Sequence, residues 1–300
     1  YVVDKEMRVV FIGSVEFSYH LLKHLLTFEG IQVVGIVTLN KSLGNADFCS
    51  LKPIADEVGI PCFLADHETP ESMAKWIRGK QPDVIYCFGW SRLLKKEILE
   101  IPRKGVIGYH PTALPKNRGR HPIIWSLALG LKETASTFFF MDEGVDSGDI
   151  LSQEFVRIDD EDDAGSLYRK LISVATKQLT TFSRQLVSDT YSRIPQDHSQ
   201  ANYWRKRTKS DGQIDWRMSA RSIHNLVRAS ARPYDGAHCI FKDKEVKIWK
   251  TRVLQWDKEY LEPGKVLDVN ENKIIVKCGE GAIEILEHEF IELPEVGSYL

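Results

Sequence analysis

Three hundred residues, 43% hydrophobic and 27% charged with 20 Gly and 12 Pro, make an ordinary globular composition. That composition excludes a collagen, a disulfide-built scaffold and a wholly disordered chain. Forty Lys plus Arg against 42 Asp plus Glu leave a net charge of −2, so the chain as a whole is no polycation made to coat DNA or to be drawn to anionic membranes.

Five cysteines, Cys49, Cys62, Cys87, Cys239 and Cys278, are odd in number and scattered. None stands in the Cys-x-x-Cys or Cys/His spacing of a zinc site, which points to free thiols in a reducing cytoplasm and to no metal. Asp4, Lys5, Glu6 and Arg8 come before the first apolar run, unlike the layout of a signal peptide. The longest mostly apolar stretch, residues 122–131, falls short of the roughly 20 residues that a membrane span needs. A cytoplasmic protein without a membrane partner is expected.

In chain order, residues 8–13 are a β-branched and aromatic run closed by Gly13, which predicts a buried strand. Residues 17–28 place Phe17, Leu21, Leu22, Leu25, Leu26 and Phe28 on one face of a helix. A strand at 31–39, a helix at 53–58, a short strand at 60–64, a helix at 71–79 and a strand at 83–88 follow. This alternation predicts a mostly parallel sheet covered by helices. A further strand at 105–110 ends on His110, and ligands of open α/β sheets bind at the carboxyl ends of the strands. A helix at 122–131, a strand at 134–141, a polar loop at 142–149 and a long helix at 165–187 complete a first domain of residues 1–190. Residues 191–213 are polar, hold Pro195 and the basic run Arg205-Lys-Arg-Thr-Lys209, and read as a linker. In residues 214–300 a helix N-capped by Ser219 and stopped by Pro233 precedes strands at 238–241, 245–254, 264–269, 273–277 and 282–286. That pattern suggests a small barrel.

The familiar phosphate and nucleophile motifs are missing. There is no GxxxxGK[ST] loop, GxGxxG fingerprint, GxSxG elbow or HExxH pair, and Gly13 stands alone. The chemistry has to come from other residues at the strand ends. The densest cluster of unusual residues is Gly108-Tyr-His-Pro-Thr-Ala-Leu-Pro-Lys-Asn-Arg-Gly-Arg-His-Pro122, followed by Met141-Asp-Glu-Gly-Val-Asp-Ser-Gly-Asp149.

Here the chain resembles the folate-dependent formyltransferase superfamily, most of all its sugar N-formyltransferases, relatives of methionyl-tRNA formyltransferase. The family signature is Asn-x-His, then Leu-Pro and Arg-Gly, then Asp-x-Gly. His110, Leu114-Pro115, Arg118-Gly119 and Asp146-Ser-Gly148 stand in that order, with Asp146 36 residues after His110. Phe88-Gly-Trp-Ser-Arg-Leu-Leu94 and Asp211-Gly-Gln-Ile-Asp-Trp216 extend the resemblance over nearly the whole chain. It implies an α/β, Rossmann-like formyltransferase domain followed by a small C-terminal OB-like β-barrel, with 10-formyltetrahydrofolate as the formyl donor.

Formyl transfer to an amine is an acyl transfer in which a tetrahedral oxyanion and a charged nitrogen develop. A donor must meet the oxyanion and a base must take the amine proton. His110 suits either role, because a histidine titrates near neutrality, and Asp146 can orient and support its imidazole. The family Asn is replaced by Gly108. A backbone N–H, an ordered water or another side chain such as Asn117 could stand in for the carboxamide, or activity could have been lost. With His110 and Asp146 in place, an active enzyme is expected.

By resemblance, the loop with Phe88, Gly89, Trp90, Arg92 and Leu93 reads the pterin edge of the donor, and Asp142, Glu143, Gly144 and Val145 close its other side. Resemblance also gives methionyl-tRNA formyltransferases a basic insertion after the second strand, yet residues 40–51 hold Lys41 as their one cation, beside Asp47. tRNA binding calls for many phosphate contacts, so tRNA is not the expected partner. Thr112, Arg118, Arg120, Tyr203, Trp204 and Arg205 suit the diphosphate and base of a nucleotide sugar instead. The expected reaction is N-formylation of a UDP- or dTDP-linked 4-amino-4,6-dideoxysugar for surface glycan or nonulosonic acid biosynthesis. Methionyl-tRNA formylation is the first alternative and a non-catalytic folate or sugar-nucleotide binding module the second. A homodimer is left open.

Overall fold

The β-branched run at the N-terminus becomes an interior strand of a seven-stranded sheet in the computed structural model, which describes residues 5–300. Asp4, the first residue of the polar run noted above, lies outside the described residues. The chain divides into two compact units, one of Tyr1–Gly119, Thr134–Val156 and Arg169–Tyr203, the other of Arg120–Glu133, Arg157–Tyr168 and Trp204–Leu300.

The first unit begins with β1 (Met7–Ile12), α1 (Glu16–Leu25), β2 (Ile31–Thr38), α2 (Lys52–Val58), β3 (Cys62–Leu64), α3 (Pro70–Lys80) and β4 (Val84–Cys87). It continues through α4 (Lys96–Leu99), β5 (Val106–His110) and β6 (Arg118–Gly119). After α5 (Pro122–Ala128), which is part of the second unit, come β7 (Glu133–Phe140), β8 (Ile150–Arg157), α6 (Ala164–Val187) and β9 (Tyr203–Trp204). The strand order is β3-β2-β1-β4-β5-β7-β8. β1 to β5 pair in parallel, and β7 runs antiparallel to β5.

Local chemistry explains the helices between the strands. In α3, Pro70 occupies the first turn and Thr69 caps it, its hydroxyl accepting from Ser72 N at 3.1 Å. α2 ends on Gly59 in the left-handed conformation (φ 74°). Val9, Val10, Phe11 and Ile12 of β1 are fully buried. Behind them Phe88 meets Phe11 edge-on at 5.5 Å and Phe138 at 5.2 Å, and Phe138 meets Phe182 at 4.7 Å. Each such pair adds about 0.5–1.5 kcal/mol beyond its burial.

The connections from β1 lead first to one side of it, β2 and β3, and then to the other, β4 and β5. The strand order therefore reverses between β1 and β4, the place where doubly wound sheets leave a crevice at the strand ends. Ser14 N donates to Gly89 O there at 3.0 Å, tying the end of β1 to the chain that leaves β4.

Three local features depart from the periodicity. α1 stops at Leu25 and α5 at Ala128, so residues 26–28 and 129–131 turn away from the helices assigned to them. β8 lay in sequence with no predicted element. It is one of the sheet's two edge strands, with Phe155 60% exposed, and its burial runs in a block at Ile150 and Leu151 rather than alternating. α4, β6 and β9 are too short to leave a periodic signal.

The second unit adds α7 (Ala220–Ala229), β10 (Ala237–Phe241), β11 (Lys244–Leu254), β12 (Val266–Asn270), β13 (Lys273–Lys277) and β14 (Ala282–His288). Ser219 caps α7 through Ser222 N at 3.1 Å. The five strands form an antiparallel sheet in the order β10-β11-β14-β13-β12, whose edge strands β10 and β12 do not pair with each other. Ile223, Leu226 and Val227 of α7 close a core with Ile248, Val276, Ile283 and Ile285 of that sheet. The fold is thus an α/β unit with a mostly parallel sheet and a C-terminal antiparallel unit. Among the described residues, no helix is long and apolar enough to cross a membrane, and no group of three or more His, Cys, Asp or Glu could hold a metal ion.

Candidate active site

β5 delivers His110 at its carboxyl end, where the side chain is buried. Its Nε2 donates to the carbonyl oxygen of Asn117 at 2.7 Å. Its Nδ1 faces Asp146 Oδ2 at 3.4 Å. Asp146 sits in the loop between β7 and β8 with φ 52°, a conformation few non-glycine residues adopt. The same Oδ2 accepts from Gly119 N at 2.9 Å. One nitrogen of the ring is therefore committed to the backbone, and the other looks at a carboxylate whose position is fixed.

Gly108 is buried in β5, between Cys87 of β4 and Phe139 of β7. A Cβ added to it would lie 2.8 Å from Met141 Cγ and 3.1 Å from Phe139 Cζ. The space a side chain would need is filled by a thioether. Asn117 does not extend its carboxamide in compensation. Its backbone carbonyl reaches His110, while its side-chain Oδ1 accepts from Asn202 Nδ2 at 3.0 Å and its N donates to Asn202 Oδ1 at 2.8 Å.

In the loop after β4, Phe88 is fully buried in the aromatic core and contributes backbone only. Gly89 has φ 72°, and a side chain on it would run into Val15 and Ser18. Trp90 Nε1 is buried without a hydrogen-bond partner. Arg92 lies 6.0 Å over the Trp90 ring and donates to Ala65 O at 2.7 Å. Leu93 and, in the loop between β7 and β8, Val145 are 78% and 54% exposed. Asp142 Oδ1 accepts from Gly144 N at 2.9 Å and from Ser147 Oγ at 2.7 Å, which braces that loop beside the exposed Glu143.

The residues expected to hold an anionic acceptor separate by burial. Thr112 is fully buried and donates to Lys116 O at 2.9 Å. Arg118 is 2% exposed, and its guanidinium reaches Gln196 Oε1 (2.9 Å), His198 Nδ1 (2.8 Å) and Tyr203 OH (2.9 Å). Both side chains serve the protein's own acceptors. Tyr203 is largely exposed. In the second unit Arg120 is exposed, Trp204 is half-buried and its carbonyl accepts from Arg120 N, and Arg205 forms a bidentate pair with Asp211 at 2.6 and 2.8 Å. Arg205 and Arg207 also lie 5.1 and 4.7 Å from the ring of Trp125. Burial and then the cations Arg120, Arg207 and Lys206 push the pKa of His121 down. Gln196, Asn202 and Trp125 were not legible in the sequence, because polar residues in a polar stretch, or a lone Trp on a helix, carry no spacing signal.

A family described as formyl transferase matches residues 7–182, and the formyl transferase C-terminal domain matches residues 206–294. The chain belongs to the formyl transferase family. It is accordingly an enzyme that transfers formyl groups, not a binding module without catalysis. A methionyl-tRNA formyltransferase of Acetivibrio thermocellus is 34% identical to this formyl transferase over 95% of this chain and 92% of its own. Four further relatives of the same name are 32–35% identical over 94–98% of this chain. Among solved structures, the sugar 3N-formyltransferase WlaRD is 20% identical with a TM-score of 0.71, covering 96% of this chain and 99% of that one. HypX of Aquifex aeolicus, which this chain spans for only 45% of its length, is 17% identical over 93% of this chain with a TM-score of 0.67. At such identities the two structures speak for the fold alone.

These relatives overturn the expectation of a nucleotide-linked amino sugar and, with it, the exclusion of tRNA as a partner. Net charge is a poor guide to a tRNA partner for a physical reason. A net charge of −2 and one cation in residues 40–51 describe averages, whereas phosphate contacts need only some cations gathered on one face. In the second unit Arg120, Lys206 and Arg207 lie near enough to His121 to act on its charge, and Arg207 lies over Trp125.

Proposed function

We propose that this formyl transferase formylates the amino group of methionyl-tRNA, with 10-formyltetrahydrofolate as the donor. The observation that carries the reading is the similarity, along nearly the whole chain, to relatives named methionyl-tRNA formyltransferase. The donor supplies a formyl group already activated on nitrogen. The chain supplies a place for it: Trp90 Nε1 is a buried donor in want of an acceptor, and Leu93 is an exposed apolar wall. An unpartnered buried N–H and an exposed apolar side chain in one loop fit a flat heterocycle edged with acceptors.

His110 and Asp146 are the groups for the proton. The bond from Nε2 to Asn117 O keeps a proton on that nitrogen and stops the ring from turning. Nδ1 is left to face Asp146 Oδ2. A proton taken from the amine at Nδ1 makes an imidazolium that the adjacent carboxylate stabilises, and that proton then goes to the folate nitrogen that leaves as the formyl carbon–nitrogen bond breaks. Gly119 N holds the carboxylate oxygen in register. In the second unit, the cations stacked on Trp125 suit phosphates and an unstacked base.

The test is a formylation assay with methionyl-tRNA and 10-formyltetrahydrofolate, read by mass spectrometry. Formylmethionyl-tRNA is expected. Arg120→Ala with Lys206→Ala should raise KM for the tRNA, leave KM for the donor unchanged, and lower the log–log salt slope of tRNA binding by roughly one to two. Failure of the unaltered chain to formylate methionyl-tRNA would overturn the reading.

A further inference from the structure

The segment after α6 reads in sequence as a linker, yet its side chains grip the loop that carries Asp146. Ile194 and Ile150 exchange backbone hydrogen bonds of 2.8 and 2.9 Å. Arg193 Nε donates to Asp149 Oδ2 at 3.2 Å. Two residues on from Ile194, Gln196 is 5% exposed. Its Nε2 donates to Asp146 O at 2.8 Å and to Gly148 O at 2.7 Å. Its Oε1 accepts from Arg118 Nη2 at 2.9 Å and Nε at 3.3 Å. All four contacts lie within the first unit.

We infer that Gln196 is a positioning residue for formyl transfer: its amide, anchored by buried Arg118, holds Asp146 in the left-handed conformation that turns the carboxylate toward His110. The chemistry of the contacts supports this. A primary amide offers two N–H groups and two acceptor lone pairs. Here both N–H groups go to the Asp146 loop and the carbonyl to one guanidinium. Arg118 is fixed in turn by Tyr203 and His198, and it precedes Gly119, whose N–H holds the carboxylate itself. Backbone and side chain of Asp146 are therefore set from one short strand, the first by way of Gln196 and the second directly. A φ of 52° is an uncommon conformation for aspartate, and these bonds hold it in place.

The inference rests on the reading of Asp146 and His110 as the catalytic pair, and the test separates the two. Gln196→Glu keeps the oxygen that Arg118 holds, now as an ion pair, but puts a second carboxylate oxygen where Nε2 donated, against the carbonyl oxygens of Asp146 and Gly148. Gln196→Ala removes all four bonds. Tm, kcat and both KM values are measured for each variant beside Asp146→Ala. The expected result for Gln196→Glu is a Tm at or above wild type, KM values within twofold, and kcat lower by about 10- to 100-fold, the scale on which a misplaced group slows a reaction. A merely structural glutamine would lose activity only as the folded fraction falls. Wild-type kcat in Gln196→Glu, with Asp146→Ala inactive, overturns the positioning role and leaves the catalytic pair standing. Wild-type turnover in Asp146→Ala removes the pair, and the positioning role with it.

Discussion

Nδ1 of His110 lies 3.4 Å from Oδ2 of Asp146, and that oxygen is already tied to Gly119 N at 2.9 Å. The imidazole and the carboxylate are held separately, the ring by a carbonyl and the acid by an amide, so neither depends on the other for its place. His110→Ala and Asp146→Ala should each lower the single-turnover formylation rate by about 10²–10⁴-fold, the usual worth of a placed acid or base. The fold should survive, as checked by far-UV circular dichroism and Tm. Asp146→Asn, which keeps the shape and loses the charge, should be nearly as slow as Asp146→Ala.

Gly108 and Met141 share one space. A side chain at 108 would sit 2.8 Å from Met141 Cγ, and overpacking of this kind costs about 1–3 kcal/mol. Gly108→Ala is expected to lower urea stability by that amount. Met141→Ala in the same chain should recover part of the loss, because it removes the atoms in the way. Additive losses in the double variant would show that the two positions do not compete.

Trp90 Nε1 is buried and unpartnered. If the donor substrate meets it, Trp90→Phe should raise KM for 10-formyltetrahydrofolate by roughly 2- to 10-fold, the net worth of one hydrogen bond. Tm and KM for methionyl-tRNA should stay as in wild type. Titration of initial rates against donor concentration gives the answer, and an unchanged donor KM would assign Trp90 to packing alone.

His224 of α7 accepts from or donates to Thr251 Oγ1 at 2.9 Å, according to its tautomer. Burial first, and then the nearby Arg228 and Arg221, push its pKa down from 6.5 to about 4. The folded protein thus resists a proton that the unfolded chain takes up. Nothing is lost above pH 6.5, where both states are neutral, and stability falls as pH drops from 6.5 toward 4. Allowing for its partial exposure, the loss is on the order of 1–2 kcal/mol. His224→Gln cannot titrate, so its urea midpoint should fall less between pH 7 and pH 4.5 than that of wild type.

The elements that hydrophobic periodicity can report were legible, since β1, β2, β4 and β5 bury both faces and read as continuous apolar runs. β8 was not, because an edge strand with Phe155 in solvent has no pattern to read. Arg118 illustrates the limit for side chains. As an arginine in a polar loop it looked like an anion contact, but partners 78 to 85 residues later in the chain, Gln196, His198 and Tyr203, turn it inward.

By itself, then, the sequence determined the strands and helices whose apolar pattern is strong, that His110 ends a strand, and that Asp146 follows in a loop, because these depend on local order and apolar spacing. Only the tertiary structure decided that the carbonyl of Asn117 rather than its carboxamide meets His110, that Met141 occupies the space above Gly108, and that a segment resembling a linker clamps the Asp146 loop. Those outcomes depend on which distant donor finds which acceptor once the chain has folded back. A buried polar group must be paired, but nothing in its neighbours along the chain says with what.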